Sequence, residues 1–163
     1  MGFISYNISH ALTFDAELLS TSNTTDFVAK VFKWVVIHGY TFENALEKSI
    51  NDCSSMGKHT GVVHLTPGSV TKFIWAHKEI QPWGEKLPLQ CPQCGVLEKW
   101  ISVTLNDPPG YLFRCVNVNC GKEGGKADGK RVSEGHEFHV LRPKHATLLS
   151  SGGGAGWLKV VIS

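Results

Sequence analysis

The chain lacks an apolar run long enough to cross a bilayer as a helix. About 20 residues are needed, and the longest candidate, VFKWVVI at 31–37, is short and interrupted by Lys33. No basic stretch precedes an apolar segment in the opening MGFISYNISHALTF, so no export signal is read there. Tyr6 stands where a myristoylation motif carries Ser or Thr. The glycine run SGGGAG at 151–156 lacks the Gly-Lys-Ser/Thr ending of a phosphate-binding loop and reads as a linker. Charge is sparse at 18%, whereas hydrophobic residues reach 42%, which excludes a disordered composition and leaves room for a core. These absences set the expectation of an intracellular protein of the cytoplasm or nucleus, without membrane association. The glycosylation-like triplets Asn7-Ile8-Ser9 and Asn23-Thr24-Thr25 are then chance matches.

Charge is unevenly placed. Residues 1–56 carry three lysines against six acids, and residues 57–163 carry thirteen Lys/Arg against eight acids. An acidic partner is therefore expected toward the C-terminal part, although nothing there matches the dense basic stripe of a dedicated DNA binder.

Apolar spacing predicts a helix over 25–38, with Phe27, Val31 and Val35 on one stripe, Val28 and Phe32 beside it, and Gly39 at the stop. A second helix is predicted over 41–57, with Thr41 as N-cap and a stripe of Phe42, Leu46, Ile50 and Cys53. Strands are predicted at 61–66 and 69–77 about a Pro67-Gly68 turn, then at 97–105 and 111–115 about NDPPG, at 137–142, and in WLKVVIS at the end. Helices followed by strands in blocks point to an α+β fold: a small mixed core of two helices and several strands, carrying a β-hairpin between cysteine pairs. The expected division is 1–88 as core segment, 89–123 as cysteine module, and 124–163 as a polar loop with strands completing the core. The first twenty residues show no clear periodicity.

Only five cysteines are present. Four of them fall in two pairs, Cys91-Pro92-Gln93-Cys94-Gly95 and Cys115…Cys120-Gly121, at the two ends of the predicted hairpin. A C-x-x-C turn lets two sulfurs converge on one ion while backbone N–H groups point at them, and four thiolates suit tetrahedral Zn²⁺. Two disulfides would need an oxidising compartment. A thioredoxin-like pair would need a following helix, where a strand pattern stands. Iron is left open by spacing alone. Knuckle, strand, turn, strand, knuckle resembles the zinc-ribbon family over about residues 89–123. That resemblance implies a structural Zn²⁺ on Cys91, Cys94, Cys115 and Cys120. The departure is the second pair, which is C-x4-C rather than C-x2-C. The run FIWAHKEIQPWGEKLPLQCPQCG also resembles a group of uncharacterised fungal proteins, which supply no activity.

The remaining chemistry is thinner. Cys53 with His38, His59 or His64 could form a nucleophile and base. His38-Gly39 and Asp52-Cys53 resemble elements of the caspase-like cysteine proteases, which implies a cysteine-dependent hydrolase braced by zinc. Here, however, the histidine ends a helix and no family signature surrounds Cys53, so a packed core thiol is the plainer reading. His136, Glu137, His139 and His145 cluster in sequence, but a strand sends His136 and His139 to opposite faces. Trp100, Tyr111 and Phe113 lie on the hairpin beside Lys99 and Arg114, with Lys122, Lys130 and Arg131 in the glycine-rich loop that follows. Such aromatics and cations suit stacking on bases and contact with phosphates, or, for the aromatics, the minimal core of a small module. The sequence thus points to a non-enzymatic, zinc-bearing interaction module for nucleic acid or a protein partner, the basic C-terminal part and hairpin aromatics favouring nucleic acid, with the hydrolase as its alternative.

Overall fold

A computed structural model describes residues 7–16, 19, 21–97, 100–117, 119–120, 136–152 and 154–162. The chain divides into two compact units: Met1–His77 with Pro143–Ser163, and Lys78–Arg142. Among the described residues the fold is α+β, as the succession of apolar patterns predicts.

In the first unit, β1 (Ala11–Phe14), β2 (Val62–Thr66) and β3 (Ser69–His77) join β7 (Ala146–Gly152) and β8 (Ala155–Ile162). They form one antiparallel sheet in the order β1-β2-β3-β8-β7. Helices α1 (Thr21–Phe32) and α2 (Phe42–Asp52), with the short α3 (Ser54–Gly57), supply its cover. Strand alternation puts Val62, Phe73, Trp75 and Trp157 on one face, where they pack with Phe27, Val31, Leu46, Ile50 and Met56. The stripe expected on α2 is the one buried: Leu46, Ile50 and Cys53 are each 5% exposed or less. Thr41 caps α2, its hydroxyl accepting the Asn44 N–H at 3.4 Å.

Several expectations change. The first helix starts at Thr21 and passes at Lys33 into a π-turn through Ile37. Burial of Phe27 and Val31 carries the polar TSNTT stretch into helix despite its preference for caps. Phe32, Val36 and Ile37 remain exposed. Two strands escape the periodicity, β1 and β7. The first is too short to show alternation, and the second runs into the glycine-rich stretch. The run read as a linker is a hairpin turn: Gly152 pairs with Ala155, and Gly154 sits at φ +82°, a conformation that favours glycine.

In the second unit β4 (Trp100–Asn106), β5 (Pro109–Cys115) and β6 (Glu137–Leu141) form an antiparallel meander. The segment before it is irregular, with one 3₁₀ turn at Pro82–Gly84. Strand β6, expected to complete the core, pairs instead with β5. Its Phe138 and Val140 alternate onto the aromatic face of the hairpin, opposite Phe113 and Tyr111.

Candidate metal centre

Four sulfurs meet at the base of the β4–β5 hairpin. Cys115 ends β5, Cys120 follows it, and Cys91 and Cys94 arrive from the knuckle before β4. The first knuckle folds through a Gly95 N–H to Cys91 carbonyl bond of 2.8 Å and a Cys91 N–H to Val96 carbonyl bond of 2.9 Å. Gly95 lies at φ +71°, so a residue with a Cβ would be strained there. The longer second knuckle closes on Asn117, whose side-chain oxygen accepts the Asn119 N–H at 3.0 Å and whose carbonyl accepts the Cys120 N–H at 2.9 Å. An Asx-type turn therefore absorbs the two extra residues of C-x4-C.

Sulfur separations are 3.6 Å for Cys91–Cys120 and 3.6 Å for Cys94–Cys115, with all four atoms within 4.8 Å of one another. A disulfide needs about 2.05 Å, and none of the five cysteines is bonded. A tetrahedron with metal–sulfur bonds of about 2.3 Å has edges of about 3.8 Å. The donor set thus fits a four-thiolate ion. Backbone N–H groups of Asn117 and His136 reach Cys115 and Cys120 at 3.4 and 3.5 Å, as expected around thiolate sulfur. The thiols also titrate apart. The Val96 backbone N–H, with the Asn117 contact, holds Cys94 down to about 6, while burial pushes Cys115 up to about 12.

The hairpin aromatics serve packing. Trp100 donates its indole N–H to the Pro88 carbonyl at 3.1 Å and stands edge-on to Phe138, ring centres 4.7 Å apart. Tyr111 stacks near Trp83, and Phe113 stacks on Phe138. Arg114 is ion-paired with Glu137 across the β5–β6 ladder. Lys99, Lys122, Lys130 and Arg131 lie outside the described residues. On the opposite face Ile101 and Val103 of the edge strand β4 are 54% and 44% exposed, and Leu141 of β6 is 47% exposed. His136 faces Trp100 and Phe138 while His139 pairs with Leu112 on the other side, as the strand period requires.

The candidates in the first unit are arranged differently from the sequence expectation. The Cys53 sulfur lies 3.5 Å from Lys30 Nζ and 3.7 Å from Asp26 Oδ2. Burial pushes its thiol up, with Lys30 acting in the other direction. His38 packs on Trp34, ring centres 4.6 Å apart. His64 is 4% exposed and faces His10, whose Nδ1 lies 3.1 Å from His64 Nε2 and 3.6 Å from Glu43 Oε1. Cys53 therefore meets a lysine and a carboxylate, and His64 meets a second histidine. Sequence reasoning missed His10 and Glu43. Only the β1–β2 register, which sets Leu12 opposite His64, brings position 10 within reach.

Comparison with known protein families, with curated proteins and with solved structures finds no match for this chain. Among the described residues no helix is long and apolar enough to cross a membrane.

Proposed function

We propose that the chain is a non-enzymatic interaction module whose second unit is a zinc ribbon, with Cys91, Cys94, Cys115 and Cys120 holding a structural Zn²⁺. The observation that carries this is the convergence of four cysteine sulfurs from two knuckles at near-tetrahedral separations. Four thiolates leave no position for water, so the ion braces the hairpin and takes no part in chemistry. Elemental analysis of the pure protein is expected to give zinc in the cysteine site, lost on Cys115→Ser. A chain with no metal and no free thiols would sink the ribbon.

Of the two partner classes, a protein segment is better supported than nucleic acid. Trp100, Tyr111 and Phe113 are engaged with one another's neighbours, and Arg114 is committed to Glu137. That leaves few aromatic faces for bases. Among the described residues strand β4 has an unpaired edge with Ile101 and Val103 exposed beside it, a surface suited to adding an extended apolar strand. Two assays separate the classes. A single-stranded and a duplex 30-mer are expected to give no mobility shift at physiological salt, and a salt-resistant shift would favour nucleic acid. Peptides selected from a displayed random library on the zinc-loaded chain are expected to be extended and apolar. Their binding should vanish in the I101R/V103R double variant, and binders indifferent to that change would remove the edge from consideration.

A further inference from the structure

We propose that His10, Glu43 and His64 form a second metal site in the first unit, one that takes a divalent transition ion of the zinc class and leaves a coordination position open. Three elements build it. Strand β2 carries His64 on the face that looks toward the helices, the one Val62 also occupies. Residue 10, just before β1, lies on that face diagonally from His64, because Leu12 is the direct partner of His64. Glu43 stands in the first turn of α2, above both.

The ligand atoms are placed as such an ion requires. Zinc bonds to imidazole nitrogen and carboxylate oxygen of about 2.0–2.1 Å give tetrahedral edges of about 3.3 Å. His10 Nδ1 is 3.1 Å from His64 Nε2 and 3.6 Å from Glu43 Oε1, and the three ligand atoms lie within 4.8 Å of one another. Ring packing holds the set. His10 stacks on Phe42 at 4.6 Å and 15°, and His64 lies against the same ring at 5.3 Å. His64 is more than nine-tenths buried, with its Nε2 directed at His10. Two imidazoles and one carboxylate select zinc, nickel, cobalt or iron over magnesium and calcium, which prefer oxygen.

The site differs from the cysteine cluster in being incomplete. Glu43 and His64 line a cavity of about 160 Å³ whose other walls are Thr66, Ser69, Thr71, Glu47 and Lys159, with Leu46 and Phe73. Three protein ligands, two of them facing a cavity, match zinc centres that keep a position for water. Lys159 is paired with Glu47 at 2.6 Å, and both line the cavity, so with Glu43 its wall carries two carboxylates against one ammonium. The ligand that fits the open position is a water molecule.

The alternative is an ordinary hydrogen-bonded histidine pair with an adjacent carboxylate. Cobalt(II) titration of the full chain, loaded beforehand with one equivalent of zinc to fill the cysteine site only, separates the two. The expected result is one equivalent of bound cobalt with visible d–d bands and no sulfur-to-metal charge-transfer band, since the donors are nitrogen and oxygen. His10→Ala and Glu43→Gln should each weaken this binding at least tenfold while leaving the circular dichroism and the cysteine-bound zinc unchanged. His64 sits in the core, where truncation to Ala threatens the fold itself, so the two more exposed ligands decide the test. Absence of the bands on the folded wild-type chain, or bands that survive both substitutions, would overturn the site. The four-cysteine reading stands or falls separately, on zinc content and on Cys115→Ser.

Discussion

The two units of this chain solve the same problem with different means. Among its described residues the first has five strands and two substantial helices, and it buries Phe27, Leu46, Ile50, Phe73, Trp157 and their neighbours in one cluster. The second has three strands and no helix cover among its described residues, and one of its buried clusters is built from Cys91, Cys115 and Cys120. A short meander cannot bury enough apolar area to hold itself. On the proposed reading sulfur ligation replaces the missing core, so the two units should respond to different insults.

The largest effect expected is that of metal removal. Structural zinc in comparable small modules contributes about 10–16 kcal/mol of binding free energy, which is folding free energy when the site does not preform. Chelation, or Cys115→Ser, should collapse the amide dispersion of β4, β5 and β6 in a heteronuclear NMR spectrum. Resonances of β2, β3 and β8 should persist. A single transition that erases both sets would break the comparison. Chelation should also become easier as pH falls, because protons compete with the metal for the thiolates.

The converse damage is expected from the hydrophobic core. Leu46→Ala removes a side chain that is 1% exposed and should cost about 2–5 kcal/mol in urea unfolding of the first unit. Gly57→Ala should cost about 1–3 kcal/mol by overpacking, since its Cβ would lie 2.8 Å from Trp157 and 2.9 Å from Trp75. Neither change should alter zinc content. Loss of zinc in either variant would mean that the units do not fold independently.

The same contrast explains what could be read from the sequence. The α2 stripe, the β3 boundaries and the cysteine knuckles are legible because each rests on local rules: helical spacing, β-branched runs, and two-residue ligand turns. Position 10 carries no local signal. Its meeting with His64 and Glu43 depends on the pairing of β1 with β2 and on where α2 crosses the sheet, both long-range facts. Strand β6 is visible as a strand but not as a partner of β5, because period-two alternation says which residues share a face and nothing about which sheet receives them. The hairpin aromatics are ambiguous for the same reason. Exposure of Trp100 depends on the Pro88 carbonyl and the Phe138 ring, which reach it from outside the hairpin.

A smaller effect should come from acid. Burial alone would raise Asp15, but the Gly61 N–H, Lys72 and Thr60 together hold its carboxyl below the ordinary 3.8. The unfolded chain therefore binds this proton more readily than the folded one. The stabilisation is full above the unfolded value and is lost as pH falls through the folded value. The group is about one-third exposed, so the loss should stay near 1 kcal/mol or less. Asp15→Asn should flatten the acid limb of the first unit's stability between about pH 5 and 2 and leave the second unit's profile unchanged. An unaltered acid limb would show that Lys72 and Gly61 do not hold this carboxylate in solution.

The smallest effect expected is in the second unit, at the Arg114–Glu137 pair. The two side chains face each other across the β5–β6 ladder and are 46% and 34% exposed. Exposed pairs contribute about 0–1 kcal/mol and are screened by salt. Arg114→Ala should therefore shift the second unit's stability by less than about 1 kcal/mol, and the shift should shrink further at high ionic strength. A loss above about 2 kcal/mol, insensitive to salt, would place the pair in a desolvated setting. It would also mean that charge shares with sulfur the task of fixing β6 to the hairpin. A negligible loss leaves that task to the four thiolates and to the stacking of Phe113 on Phe138, 5.6 Å apart. Phe138→Ala then becomes the substitution that should loosen β6, with the zinc still in place.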